Sequence, residues 1–310
     1  MNLFIKNICL LVVTFFTVMI FSTVYAEENP KKIPLVPGEG DISLRDYCVV
    51  EPSEYDIPFH NVTIIIDKTS PLLAEQTEWI RDNIFLKELV EEYPPFTKFS
   101  VLFMDNKASQ LQEFIFNKCR PKTGINNTDF FWDESTSKEN SMFVSSIYNN
   151  FLKTYLSVGT NDLKSKDIAS NTYIIETLMG LFETKKFRFS SKYYDKRTLI
   201  IVSDMMQHTD NISFYKECLK FLGSCTDYKK LIKRDKKMAD YISMNKLLDT
   251  KNVEVKIFKL AFECETSDKH ARSLINLWRD YFIDNGIQVS SNPQDWVTSQ
   301  KFFDQNKNCS

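Results

Sequence analysis

Glycine and histidine are scarce in this chain, with seven and three residues among 310. No glycine-rich loop is present to cradle a phosphate. His60, His208 and His270 are scattered, and no Cys/His group has the spacing of a zinc site. No Ser/His/Asp or Cys/His set carries a family signature of nucleophilic catalysis. Excess charge is lacking too. A net charge of -2 gives no bulk attraction to nucleic acid or to an anionic membrane. Beyond the first residues, no run approaches the about 20 apolar residues that a membrane helix needs. There is no internal repeat.

What is present is a core. Hydrophobic residues make up 43% of the chain and aromatics 14%, enough for one large packed domain or two small ones. Residues 1–26 read as a signal peptide: Lys6 supplies the positive region, Ile8–Phe21 the apolar region, and Val24-Tyr25-Ala26 a cleavage site. An uncleaved anchor, the one route to a membrane, is the competing reading. The mature protein is therefore expected outside the cytoplasm, periplasmic or secreted. Residues 27–60, with Pro30, Pro34, Pro37, Gly38 and Gly40, read as a linker and N-terminal extension. Residues 61–290 read as the domain, and 291–310 as a tail carrying Trp296, Phe302 and Phe303. Cys9 leaves with the signal; Cys48, Cys119, Cys218, Cys225, Cys264 and Cys309 remain. An even count in an oxidising compartment suggests disulfides, with buried free thiols as the alternative, and Cys218 and Cys225 are close enough to close a small loop.

The domain opens on Val62–Ile66, a β-branched run without a polar face that ends in Asp67. It reads as a strand buried on both sides. Ser70 and Pro71 suit the N-cap and first position of a helix over Leu72–Tyr93. A second strand is expected over Thr97–Asp105, and Ser109–Phe116 is ambiguous between helix and strand. The loop after Cys119 carries Phe130-Phe131-Trp132, readable as a binding rim or as a loop pinned to the core. Helices are expected over Ser141–Val158, Thr172–Phe182, Asn211–Leu222, Lys229–Leu248 and Thr266–Asn285, the last ended by Gly286. Strands are expected over Thr198–Ser203 and Val253–Leu260, the latter alternating and nearer a sheet edge. Strands alternating with helices give an α/β fold: a doubly wound, mostly parallel sheet with helices on both faces.

In such a sheet the carboxylates closing two strands, Asp67 and Asp204, meet above one edge. Thr69 and Ser70 after the first strand, and Thr172 opening a helix, can join them. Oxygens alone are hard ligands and suit Mg²⁺ or Mn²⁺. The bland alternative is that the aspartates hydrogen-bond loop amides and that Ser70 and Thr172 cap helices.

Over Asn61–Ile287 the sequence resembles the von Willebrand factor type A (VWA) domain family. That family builds a metal-ion-dependent adhesion site from an Asp-x-Ser-x-Ser motif after the first strand, a Thr on a later loop and an Asp after the fourth strand. Asp67-Lys68-Thr69-Ser70-Pro71 matches the first position and, with Thr for Ser, the second. Thr172 in TYIIETL stands for the loop Thr and Asp204 in IIVSDMM for the last Asp. Pro71 replaces the third hydroxyl, and Met205 stands where a Gly is common. The motifs CRP…FFW, TYIIETL and VSDMMQHT are similar to those of exported bacterial proteins of this type. The resemblance implies a binding module whose metal, on Asp67, Thr69, Thr172 and Asp204 with Ser70 as a further candidate, receives an acidic group of a protein partner. Metal-assisted phosphoester hydrolysis and a metal-free envelope scaffold are the alternatives. A dehalogenase-like site would want a second Asp where Thr69 stands. His208 and Lys68 are candidate rim residues, or merely exposed. The sequons at Asn61, Asn126 and Asn211 matter only in a glycosylating host.

Overall fold

The structure, a computed structural model, describes residues 59–69, 72–104, 113–123, 141–163, 171–183, 189–219, 225–244, 246–260 and 268–289. The targeting segment, most of the extension, Ser70, Pro71, Asn126, the Phe130–Trp132 cluster, the tail, and Cys48, Cys264 and Cys309 lie outside them.

The β-branched run becomes β1 (His60–Asp67), buried at every residue after His60. It sits inside a six-stranded sheet of order β3-β2-β1-β4-β5-β6. β2 (Lys98–Met104), β4 (Lys196–Ser203), β5 (Val253–Lys259) and the short β6 (Gln288–Val289) run parallel to β1 and to one another. β3 (Phe114–Cys119) is an antiparallel edge; it takes in the end of the ambiguous stretch, whose residues 109–112 lie outside the described residues. The order reverses between β1 and β4, the switch point at which doubly wound sheets bind ligands beyond the strand carboxyl ends.

Successive side chains of a strand face opposite ways. Ile64, Ile66, Val101, Ile200 and Val202 enter one core, with α1 (Ala74–Asn83), α2 (Lys87–Glu91) and α3 (Ser141–Asn161). Ile65, Leu199, Ile201, Val255 and Ile257 enter the other. That face is covered by α4 (Ile174–Glu183), α5 (Phe214–Leu219), α6 (Tyr228–Arg234), α7 (Lys236–Met244) and α8 (Asp268–Asp284). Each fully buried isoleucine contributes about 1.5–3 kcal/mol, so the alternation fixes the register. It also turns Asp67 and Ser203 toward the face of Ile65 and Ile201.

Several helices differ from expectation. The stretch after β1 is two helices, because Ile84 and Phe85 turn inward. Phe85 packs against the Tyr155 ring at 5.3 Å, and the Tyr155 hydroxyl donates to the Ile84 carbonyl (2.8 Å). Ser70 is not the N-cap: α1 begins at Ala74 after Leu73, whose N–H donates to Gln76 Oε1 (3.0 Å). The Lys229–Leu248 stretch breaks at Asp235, whose carboxylate accepts from the Met238 N–H (3.0 Å) and starts a second helix. The helix expected over Asn211–Leu222 starts later, at Phe214 in α5, and residues 220–222 lie outside the described residues. β5 alternates buried and half-buried residues beside the edge strand β6, as its pattern suggests. Gly286 ends α8 at φ 74°, a conformation that favours glycine.

Cys218 and Cys225 form a disulfide, and Cys119 is also disulfide-bonded. Asn61 is buried in β1, so that sequon cannot carry a glycan on the folded protein. No helix among the described residues is long and apolar enough to cross a membrane.

Candidate functional site

Asp67 ends β1 beside Ser203, the last residue of β4. Its side chain is buried, with 5% exposure. Oδ1 accepts from the Thr69 N–H (2.9 Å) and from Thr69 Oγ1 (2.5 Å). Oδ2 accepts from Ser203 Oγ (2.7 Å). Among the described residues no lysine, arginine or histidine pairs with it. Burial pushes its carboxyl above the usual carboxylate range, against the pull of the hydrogen bonds from Thr69 and Ser203.

Thr69 and Thr172 are buried too, with their hydroxyl oxygens 2.9 Å apart. Thr69 gives its one hydroxyl proton to Asp67, so the proton between the threonines comes from Thr172. The result is a chain of oxygens running from Thr172 to Thr69 to Asp67 across the switch point.

Thr172 is not a helix cap. Its N–H donates to the His208 carbonyl (2.7 Å), and the His208 N–H donates back (3.0 Å). The start of α4 is held by Gln207, fully buried, whose Oε1 accepts from the Ile175 N–H (3.0 Å). Gln207 Nε2 donates to Glu176 (3.0 Å), and the Tyr241 hydroxyl donates to the other Glu176 oxygen. The loop after β4 thus carries Asp204 and also clamps the segment bearing Thr172.

Asp204 follows Ser203 on the same edge as Asp67, and its Oδ1 accepts from the Met206 N–H (2.8 Å). No hydrogen bond joins it directly to the Asp67–Thr69–Thr172 chain. Between them, Met205 adopts φ 63°, the conformation that explains a glycine preference there. A non-glycine residue in that region costs on the order of 1 kcal/mol or more. Met205 is held in place by three means: its N–H donates to Ser203 Oγ (2.8 Å), its carbonyl accepts from Trp278 Nε1 (2.8 Å), and its side chain is fully buried.

Ser203 is the residue that sequence reasoning missed; its only signal is a hydroxyl closing an apolar run just before Asp204. Of the rim candidates, Lys68 donates to the Asp162 carbonyl and stands 4.3 Å over the Phe103 ring, on the α3 side. His208 is half-buried, with Nδ1 2.9 Å from Ser213 Oγ and its ring edge-on to Tyr215 at 5.4 Å.

A buried carboxylate with no cationic partner among the described residues, touching two hydroxyls, fits a hard divalent cation in donor chemistry.

No protein-family model matches the chain, and no curated protein matches it. In fold it is similar to two solved structures. One is the ArnB paralog VWA2 from Sulfolobus acidocaldarius, at 15% identity over 77% of this chain and 43% of that one, with a TM-score of 0.34. The other is the PilB minor pilin from Streptococcus sanguinis, at 11% identity over 78% and 57%, with a TM-score of 0.37. The chain thus spans about half the length of each. Neither similarity bears on what this chain binds. The fold itself is a doubly wound α/β domain: a six-stranded, mostly parallel sheet with helices on both faces.

Proposed function

We propose that this chain is a VWA-like binding module acting outside the cytoplasm, in which Asp67, Thr69, Thr172 and Asp204 hold Mg²⁺ or Mn²⁺. The observation that carries the reading is the buried Asp67 carboxylate, neutralised by no cationic side chain among the described residues, meeting the Thr69 and Thr172 hydroxyls at the switch point. Asp67 brings the charge. The two threonines offer lone pairs once their protons turn away. Asp204 brings a second carboxylate from the neighbouring strand end, and Ser203 fixes the Asp67 rotamer. A bound divalent cation would supply an open position for an acidic group on a protein partner. No enzymatic turnover is part of this reading. Extracytoplasmic placement is supported by the pattern of residues 1–26 and by the Cys218–Cys225 disulfide.

A metal-free scaffold is favoured by a different observation: three protein donors already serve Asp67, and the Met206 N–H serves Asp204. Thermal unfolding separates the two. At about 100 times its dissociation constant, Mg²⁺ or Mn²⁺ stabilises a folded protein by about 2.7 kcal/mol. Wild type is expected to gain a raised melting temperature that Asp67→Ala and Asp204→Ala lack. An unmoved wild type at millimolar metal selects the scaffold, and turnover of a generic phosphoester selects the hydrolase.

A further inference from the structure

Away from Asp67, the fold assembles a second group of metal-ligating side chains that no spacing in the sequence announces. Cys218 lies in α5, Cys225 ahead of α6, and His270 in the first turn of α8. One candidate ligand atom from each lies within 4.8 Å of the others. Cys218 and His270 are buried, and Cys225 is partly buried against the same core.

Hydrogen bonds besides the S–S bond tie both cysteine backbones to α8. The His270 ring is hydrogen-bonded to the Cys218 backbone. The Cys225 N–H donates to Ser273 Oγ (2.7 Å), which donates to the His270 carbonyl (2.7 Å). One turn of α8 therefore grips both cysteines, and opening the disulfide leaves both sulfurs beside the imidazole. A hydrogen bond from a ligating imidazole to a backbone group is the usual way such rings are oriented.

We propose that the Cys218–Cys225 pair, once reduced, forms with His270 a Cys₂His site for a borderline-soft divalent cation, Zn²⁺ above all, with a fourth position left to solvent. Two thiolates and an imidazole are donors that suit zinc and not Mg²⁺. The chemistry balances: a dithiol breaks the S–S bond and closes its own disulfide, leaving two thiols. Zn²⁺ then displaces their two protons into solution. The inference is independent of the Asp67 site.

The test uses Co²⁺ as a visible stand-in for Zn²⁺. The protein is reduced with a dithiol, freed of it under argon and titrated. Reduced wild type is expected to show a thiolate-to-cobalt charge-transfer band that saturates at a single equivalent and is abolished by Zn²⁺. Oxidised wild type and the reduced Cys218→Ser/Cys225→Ser variant are expected to show none, although other cysteines remain. His270→Gln, whose amide can keep the bond to the Cys218 backbone, is expected to weaken binding about tenfold or more, since even outer-shell changes cost about 10–100-fold. The proposal is overturned by a reduced wild type without the band, by a band surviving in the double serine variant, or by unchanged affinity in His270→Gln.

Discussion

Ser203 spans two tasks at once. Its hydroxyl donates to Asp67 and accepts the Met205 N–H, so it ties the end of β1 to the strained turn after β4. Hydrogen bonds to charged groups contribute about 1.5–3 kcal/mol. Ser203→Ala is expected to lower stability by about 2 kcal/mol in urea unfolding; a change within about 0.5 kcal/mol, the scatter of ordinary surface substitutions, would contradict the role. That Asp67, Thr69 and Asp204 lie at strand ends was legible in the sequence, because they follow apolar runs, whereas Thr172 was legible only as the residue opening a helix. Ser203 was not, since it reads as one more residue of β4, and only its pairing beside Asp67 gives it meaning. Gln207 was hidden for a similar reason. Its contacts, Ile175 and Glu176, lie on a helix far from it in sequence.

Among the elements, β1, β2, β4 and β5 were legible because continuous or alternating apolar runs of that length have few alternatives. The edge strands β3 and β6 were not: the first begins in an ambiguous stretch and the second is two residues long. Helix breaks were not, because they arise from tertiary contacts. The turn between α1 and α2 exists because Phe85 drives into α3 at Gly159. A Cβ placed on Gly159 would stand 2.7 Å from Phe85 Cδ2 and 2.8 Å from its Cβ. Alanine is the better helix former by about 1 kcal/mol, while overpacking costs about 1–3 kcal/mol. Gly159→Ala is therefore expected to destabilise despite the propensity gain, seen as a lower melting temperature. A neutral or stabilising result would show that Phe85 can move aside.

For the whole molecule, the sheet order places the ends of β1 and β4 side by side, and the proposed role of Asp67, Thr69, Thr172 and Asp204 follows from that reversal. Acid sensitivity is also a global property. Burial, with Lys196 for His60 and Lys259 for His270, holds both imidazoles below their ordinary pKa in the folded state. The unfolded chain then binds the extra protons first. Stability is full above the ordinary value of about 6.5 and falls as pH drops from there toward the lowered folded values. Asp67, pushed upward by burial, acts in the opposite sense, so its share is lost as pH rises through its folded value. Comparing urea midpoints at about pH 7.5 and about pH 5.5 for wild type and His60→Gln isolates one histidine. The variant is expected to lose less stability on acidification; an equal loss would contradict the assignment.

The central claim is that two strand ends form one cation site. The most direct measurement is equilibrium binding of Mn²⁺, followed by the electron paramagnetic resonance signal of the free ion. The account predicts a single bound equivalent in wild type and none in Asp67→Ala or Asp204→Ala. Mn²⁺ left wholly free by wild type, or bound equally by all three proteins, would contradict it.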